Sequence, residues 1–186
     1  MTVSTIKMTA QQFLQLGEDP PGLRLELVDG EVAASPSPTP DHSFALVALA
    51  EVLRGYIRAN DLGQLFTDVD TIFGEHDVRR PDLLFFAKAR LHLVGEKAMT
   101  GPPDLAIELL SPSSVKIDRR HKLKLYQTGK VKHYWIVDPK AKTIEAYRLK
   151  GAGYVGRVRG SGSDVVQLPP FPGLSIPLAE LWRPRK

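Results

Sequence analysis

Two acidic residues stand where acids are costly. The run Leu105-Ala106-Ile107-Glu108-Leu109-Leu110 is apolar on both faces of a strand except at Glu108. Such a strand reads as central and buried, so a lone carboxylate there needs a cation, a hydrogen-bond network or a proton. Asp82 is the second anomaly: it opens Leu83-Leu84-Phe85-Phe86 directly after Arg79-Arg80-Pro81. Each has an ordinary explanation. Asp82 can cap a turn behind its proline, and Glu108 can pair with an arginine such as Arg79 or Arg80. Each also has a chemical one, because two strands of one sheet can bring the pair together. A hard cation such as Mg²⁺ takes one or two carboxylates together with waters and phosphate oxygens. Asp104 competes as the partner of Glu108, but four residues along one strand separate them by about 13 Å. One ion bound at about 2.1 Å cannot bridge that distance, so Asp82 with Glu108 is the preferred pair.

The cations are concentrated. Between Lys116 and His133 lie Lys116, Arg119, Arg120, Lys122, Lys124, Lys130 and Lys132, against one acid, Asp118. The remaining 18 basic and 20 acidic residues leave the rest of the chain slightly negative, within a formal net charge of +4. A basic patch on a near-neutral body attracts a polyanion such as nucleic acid; equally, a charge run can be a solvated helix face.

These groups need elements to position them. Thr9 to Leu16 reads as a short helix. Leu23 to Val28, Asp29-Gly30 and Glu31 to Ala34 read as a hairpin, since Asp-Gly between apolar runs is a strong turn signal. A proline-bearing loop, Ser35 to Pro40, precedes a helix capped by Asp41 and running to about Asn60. Gln64 to Phe73, Asp82 to Phe86 and Asp104 to Leu110 read as three strands. Ser113 or Ser114 caps a second helix that ends near Thr128, stopped by Gly129. Tyr134 to Val137 is a further strand, and short strands near Thr143 to Leu149 and Tyr154 to Val158 precede a proline-rich tail. This order implies an α/β sheet covered on both faces at its centre.

Composition narrows the chemistry. Of 186 residues, 42% are hydrophobic and 25% charged, ordinary for a folded domain, and there is no cysteine. A disulfide framework, a Cys-ligated zinc, an iron–sulfur cluster and a thiol nucleophile are therefore excluded. The longest apolar run, Phe44 to Ala50, is seven residues, against about 20 for a membrane span. Met1 to Ala10 lacks the apolar stretch of a secretory signal. The expectation is a cytoplasmic, soluble, single-domain protein spanning residues 1–186, with no membrane partner. Gly151-Ala152-Gly153-Tyr154-Val155-Gly156 matches G-x-G-x-x-G, but Arg157-Val158-Arg159-Gly160 follows where a dinucleotide site needs a helix. It reads as a hairpin turn, with no nucleotide cofactor. Trp135, Tyr134 and Phe85-Phe86 read as core, and Glu75-His76-Asp77 as a polar loop.

Taken together, the motifs resemble a known family. They are Leu25-Glu26-Leu27-Val28-Asp29-Gly30-Glu31, Arg80-Pro81-Asp82, Pro103-Asp104 through Ser114, Asp118/Lys122/Tyr126 at spacings of four, Gly129 and His133 through Pro139. This set is similar to the Uma-two family of restriction-endonuclease-like proteins, within the PD-(D/E)xK nuclease superfamily. The resemblance implies a restriction-endonuclease-like core of helix, three strands, helix and strand, with a mixed central sheet. An N-terminal helix and hairpin and C-terminal strands are added to it. It further implies a Mg²⁺- or Mn²⁺-dependent endonuclease acting on DNA, as a homodimer or higher homo-oligomer. Asp82 and Glu108, with Glu26, would hold the metal, and Lys122 would join them in catalysis. Independently of the resemblance, His42 opens the long helix within reach of such a site, and Arg119, Arg120, Lys124 and Tyr126 of the basic helix are the expected substrate contacts. One departure stands out: the signature's lysine position is Leu110, which the resemblance resolves by moving the lysine to Lys122 on the following helix. The alternative is a nuclease-like fold that binds nucleic acid or a partner without cleavage.

Overall fold

The computed structural model describes residues 7–111 and 117–184, with backbone alone for 117–120. The chain begins with a one-turn helix α1 (Ala10–Phe13), held by a capping box between Thr9 and Gln12. The expected hairpin follows as β1 (Leu23–Val28) and β2 (Glu31–Pro36). Asp29 and Gly30 take φ of 50° and 84°, the two positive values that a type I′ turn requires.

Helix α2 (Pro40–Ala59) comes next. Its cap is Thr39, not Asp41: the Thr39 hydroxyl accepts from the His42 amide at 3.3 Å. Pro40, with no N–H to satisfy, takes the first helical position and so shifts the cap back. The segment expected as one strand, Gln64 to Phe73, is two: β3 (Gly63–Thr67) and β4 (Thr71–Gly74). Asp68 at φ 54° breaks the run, and the two halves enter different sheets. A short strand the sequence reading passed over, β5 (Asp77–Arg79), pairs with β4. The chain continues through β6 (Leu83–Ala87), β7 (Leu105–Leu109), α3 (Ile117–Thr128), β8 (His133–Asp138), β9 (Thr143–Lys150) and β10 (Gly153–Ser161). A small pair, β11 (Val165–Val166) and β12 (Ile176–Pro177), closes it. The proposed caps Ser113 and Ser114 lie outside the described residues.

One sheet runs β2-β1-β5-β4 and the larger one β10-β9-β8-β7-β6-β3. Within the larger sheet β7 and β8 are parallel and the other neighbours antiparallel. A parallel pair needs a crossover connection, and α3 supplies it. On one face Leu105, Ile107 and Leu109 pack with Ala45, Leu49, Leu53 and Ile57 of α2 and with Phe171, Ile176 and Leu178 of the tail. On the other face Ala106, Leu110, Tyr134 and Ile136 pack with Tyr126 of α3. By strand alternation Glu108 shares the α3 face with Ala106 and Leu110. Trp135, Tyr134, Phe85 and Phe86 are core, as expected. Gly63 is required at the start of β3: its φ is 148°, and a Cβ there would lie 2.0 Å from the Phe86 carbonyl oxygen.

Candidate active site

The β6–β7 register pairs Leu83 with Ile107, and one further step sets Asp82 across from Glu108. Both carboxylates are buried, at 5% and 4% exposure. They can be buried because each is fully engaged. Asp82 Oδ2 accepts from the Leu109 amide at 2.8 Å and lies 3.3 Å from His42 Nε2, while Oδ1 accepts from Arg24 Nη1 at 3.2 Å. Glu108 Oε2 accepts from Lys122 Nζ at 2.8 Å, and Oε1 accepts from the Tyr126 hydroxyl. Neither carboxylate uses Arg79 or Arg80. Arg79 turns to Asp77, at 3.0 Å, and toward Glu26, while Arg80 bridges Asp70 and Asp19 at 2.9 and 2.5 Å.

The third carboxylate comes from β1. Glu26 Oε1 accepts from the Arg80 amide at 2.8 Å, so the residue just before Pro81-Asp82 ties the small sheet to the large one. Arg24, two residues earlier and on the same face of β1, reaches Asp82, Asp68 and the Arg80 carbonyl. Glu26, Arg24, Asp82, Glu108, Lys122 and His42 line one cleft of about 470 Å³. Ser35 of β2, with Ser37 and Thr39 of the β2–α2 connection, completes its lining.

The electrostatics separate the two central acids. Burial pushes Glu108 up to about 7; Lys122 opposes the rise, and the charges of Asp82 and Glu26 add to it. Burial also works against Asp82, but the His42 hydrogen bond and charge, Arg24 and the Leu109 amide together hold it below the usual carboxylate range. Tyr126, buried beside Glu108, is raised well above an ordinary phenol. A low and a raised carboxylate facing each other mark a site whose charge is incompletely balanced, as at many functional clefts.

Residues anticipated as site members divide accordingly. Asp82, Glu108, Glu26, Lys122 and His42 meet in the cleft. Tyr126, expected to touch substrate, is fully buried and is held edge-on to Phe73 at 5.4 Å and against Tyr134 at 4.8 Å. It reaches Glu108 instead of the cleft, because α3 turns that face into the core. Lys124 is exposed on α3 and lies outside the cleft lining. The side chains of Asp118, Arg119 and Arg120 lie outside the described residues. The basic run is also not one solvated face: Lys122 serves Glu108, and Lys132 reaches Asp104 at 2.8 Å. Asp104, at the far end of β7, accepts from the Ala87 amide at 2.9 Å and meets Arg90 at 3.0 Å, so it belongs to a separate structural cluster.

Sequence reading missed Arg24. The signal was available, since a strand carrying Glu26 toward a site carries Arg24 on the same face. It also missed Glu145, buried on β9 beside Tyr147 and Arg157.

The donors suit a hard divalent cation. Asp82, Glu108 and Glu26 offer oxygen only, and Mg²⁺ needs one or two carboxylates because it keeps several waters. Among the described residues no group of three or more acidic or imidazole side chains is already gathered around one point. The fit therefore rests on the facing pair, whose charges raise Glu108 and would be relieved by a cation. Among the described residues, no helix is long and apolar enough to cross a membrane.

The large sheet is thus mixed, with a parallel central pair joined through α3 and the two carboxylates facing each other at the start of β6 and the end of β7. A solved structure described as a "putative nuclease belonging to DUF820", from Anabaena variabilis ATCC 29413, superposes with a TM-score of 0.78. The match is 23% identical and covers 94% of this chain and 97% of that one. The sequence profile of the Uma2 family, described as "Putative restriction endonuclease", matches residues 10–179, and the chain belongs to that family. No curated protein matches the chain.

Proposed function

We propose that this protein is a divalent-metal-dependent endonuclease that hydrolyses DNA phosphodiester bonds. The observation that carries the reading is the placement of Asp82 across from Glu108 at the mouth of a cleft also lined by Glu26 and Lys122. Asp82 and Glu108, with Glu26, would hold Mg²⁺ or Mn²⁺. The ion would supply Lewis-acid stabilisation of charge developing on the scissile phosphate.

The chain's own groups do the rest. The Leu109 amide and His42 fix the Asp82 carboxylate, and Tyr126 fixes that of Glu108, so both acids are oriented before substrate arrives. Lys122 Nζ sits on Glu108 at the cleft wall, where its charge can stabilise a phosphate oxyanion. His42 is buried, with Nε2 against Asp82 and Nδ1 lacking a hydrogen-bond partner, so it acts here by positioning that carboxylate. Lys124, with Arg119 and Arg120 of the same helix, would grip flanking phosphates through charge alone, in a salt-dependent way.

The position of Lys122 supports this role despite Leu110 in the signature's lysine position. It reaches Glu108 from the helix rather than from the strand. The test is nicking of supercoiled plasmid with Mn²⁺. The wild type should nick, and Asp82→Ala and Glu108→Ala should each abolish nicking while keeping the circular dichroism of the fold. Nicking by both variants at the wild-type rate would refute the assignment. DNA binding at low salt without any nicking would favour a non-cleaving nucleic-acid binder.

A further inference from the structure

Arg24 is held unlike the other cations of the cleft. Its Nη1 donates to Asp82 at 3.2 Å, a long contact, whereas Nη2 meets Asp68 at 2.9 Å and also donates to the Arg80 carbonyl. Its Nε is buried with no hydrogen-bond partner. The side chain is 24% exposed and Asp68 58% exposed, so the guanidinium lies between a buried acid and a solvated one. Two of its three anchors therefore lie away from Asp82, and the weakest contact is the one on the candidate metal ligand.

An arginine fork bridges two acceptors at once and keeps its charge at every accessible pH. A buried Asp82 without a cation would be strongly destabilising. A guanidinium and a hard cation at contact distance of the same oxygen repel one another, so each weakens the other's hold on it.

We propose that Arg24 is a built-in counter-ion for Asp82. In this account it neutralises Asp82 Oδ1 while no divalent ion is bound and yields that oxygen when the ion enters, remaining anchored by Asp68 and the Arg80 carbonyl. The fold is thereby kept intact without metal, and metal affinity is set below what the carboxylates alone would give. The inference rests on the proposed metal-dependent reading of the same cleft.

Two measurements on the full-length protein test it. Calorimetric titration of Mn²⁺ should give about tenfold tighter binding for Arg24→Gln than for the wild type, the change that relief of about 1.4 kcal/mol of competition produces. A crystal structure with Mn²⁺ should show Arg24 Nη1 beyond hydrogen-bonding distance of Asp82 Oδ1, with the Asp68 contact kept. Binding by Arg24→Gln no tighter than wild type, or Arg24 still on Asp82 beside a bound ion, would overturn the counter-ion role and leave the metal reading standing. If Arg24→Gln does not fold, the wild-type crystal decides alone. Absence of Mn²⁺ binding by the wild type would overturn the metal reading and this inference with it.

Discussion

Glu108→Gln should stabilise the folded protein, and by an amount that depends on pH. Glu108 is held at about 7 in the folded chain against an ordinary value of 4.5. A folded-state value above the unfolded one means that the native state binds the proton more tightly. Glu108 therefore imposes no penalty below pH 4.5, a growing one as pH rises toward 7, and the full penalty above it. The rise from 4.5 to about 7 corresponds to a penalty on the order of 3 kcal/mol. Glutamine resembles the protonated acid: it can still accept from Tyr126, and it carries no charge to desolvate. At pH 8 the variant should be about 3 kcal/mol more stable than wild type, roughly 6–12 °C in melting temperature for a chain of this size. Near pH 4.5 the two should melt together. Urea or thermal unfolding of both proteins at pH 4.5, 6, 7 and 8 measures the difference, and titrating groups remote from Glu108 cancel in the comparison. A variant less stable than wild type at pH 8, or a difference that does not change with pH, would refute the reasoning. The same variant should lose Mn²⁺-dependent nicking, so the acid that costs stability is the one proposed to carry function.

Tyr126→Phe removes the donor to Glu108 Oε1; it should destabilise the fold by about 1–2 kcal/mol and weaken Mn²⁺ binding, read by unfolding and by calorimetry on one preparation. Asp104→Asn strips the partner from Lys132 and Arg90 at the far end of β7. It should cost about 1–2 kcal/mol of stability while leaving Mn²⁺ affinity within about twofold, since Asp104 lies outside the cleft. Mn²⁺ affinity of the wild type should rise with pH up to about 7 and level off above it, because Glu108 must release its proton to bind the ion; a flat titration from pH 5.5 to 8 would exclude Glu108 as a ligand.

Much of the fold was legible because its signals are local and redundant. The Asp29-Gly30 turn, the apolar strand around Glu108 and the Gly129 stop each specify one element without help from the rest. The facing acids were legible for a thermodynamic reason: an unpaired carboxylate in an apolar strand demands an explanation that a surface one does not. Boundaries were less legible where two rules compete, as at Thr39, where Pro40 displaces the cap from Asp41. The split of Gln64–Phe73 was hidden because a positive φ at Asp68 leaves no mark in hydrophobic alternation. The burial of Tyr126 was not legible, because helical spacing shows which residues share a face but not whether that face meets solvent or the core. The alternation of β1 marks Arg24 as sharing the face of Glu26, but its partner Asp68, like Asp70 and Asp19 around Arg80, comes from a segment that only the tertiary fold brings near.

The most direct measurement is an anomalous difference map from crystals soaked in manganese. The account predicts one peak within coordinating distance of both Asp82 and Glu108, lost in crystals of Glu108→Gln. Saturating manganese with no peak between those two carboxylates, or a peak held by other residues, would contradict it.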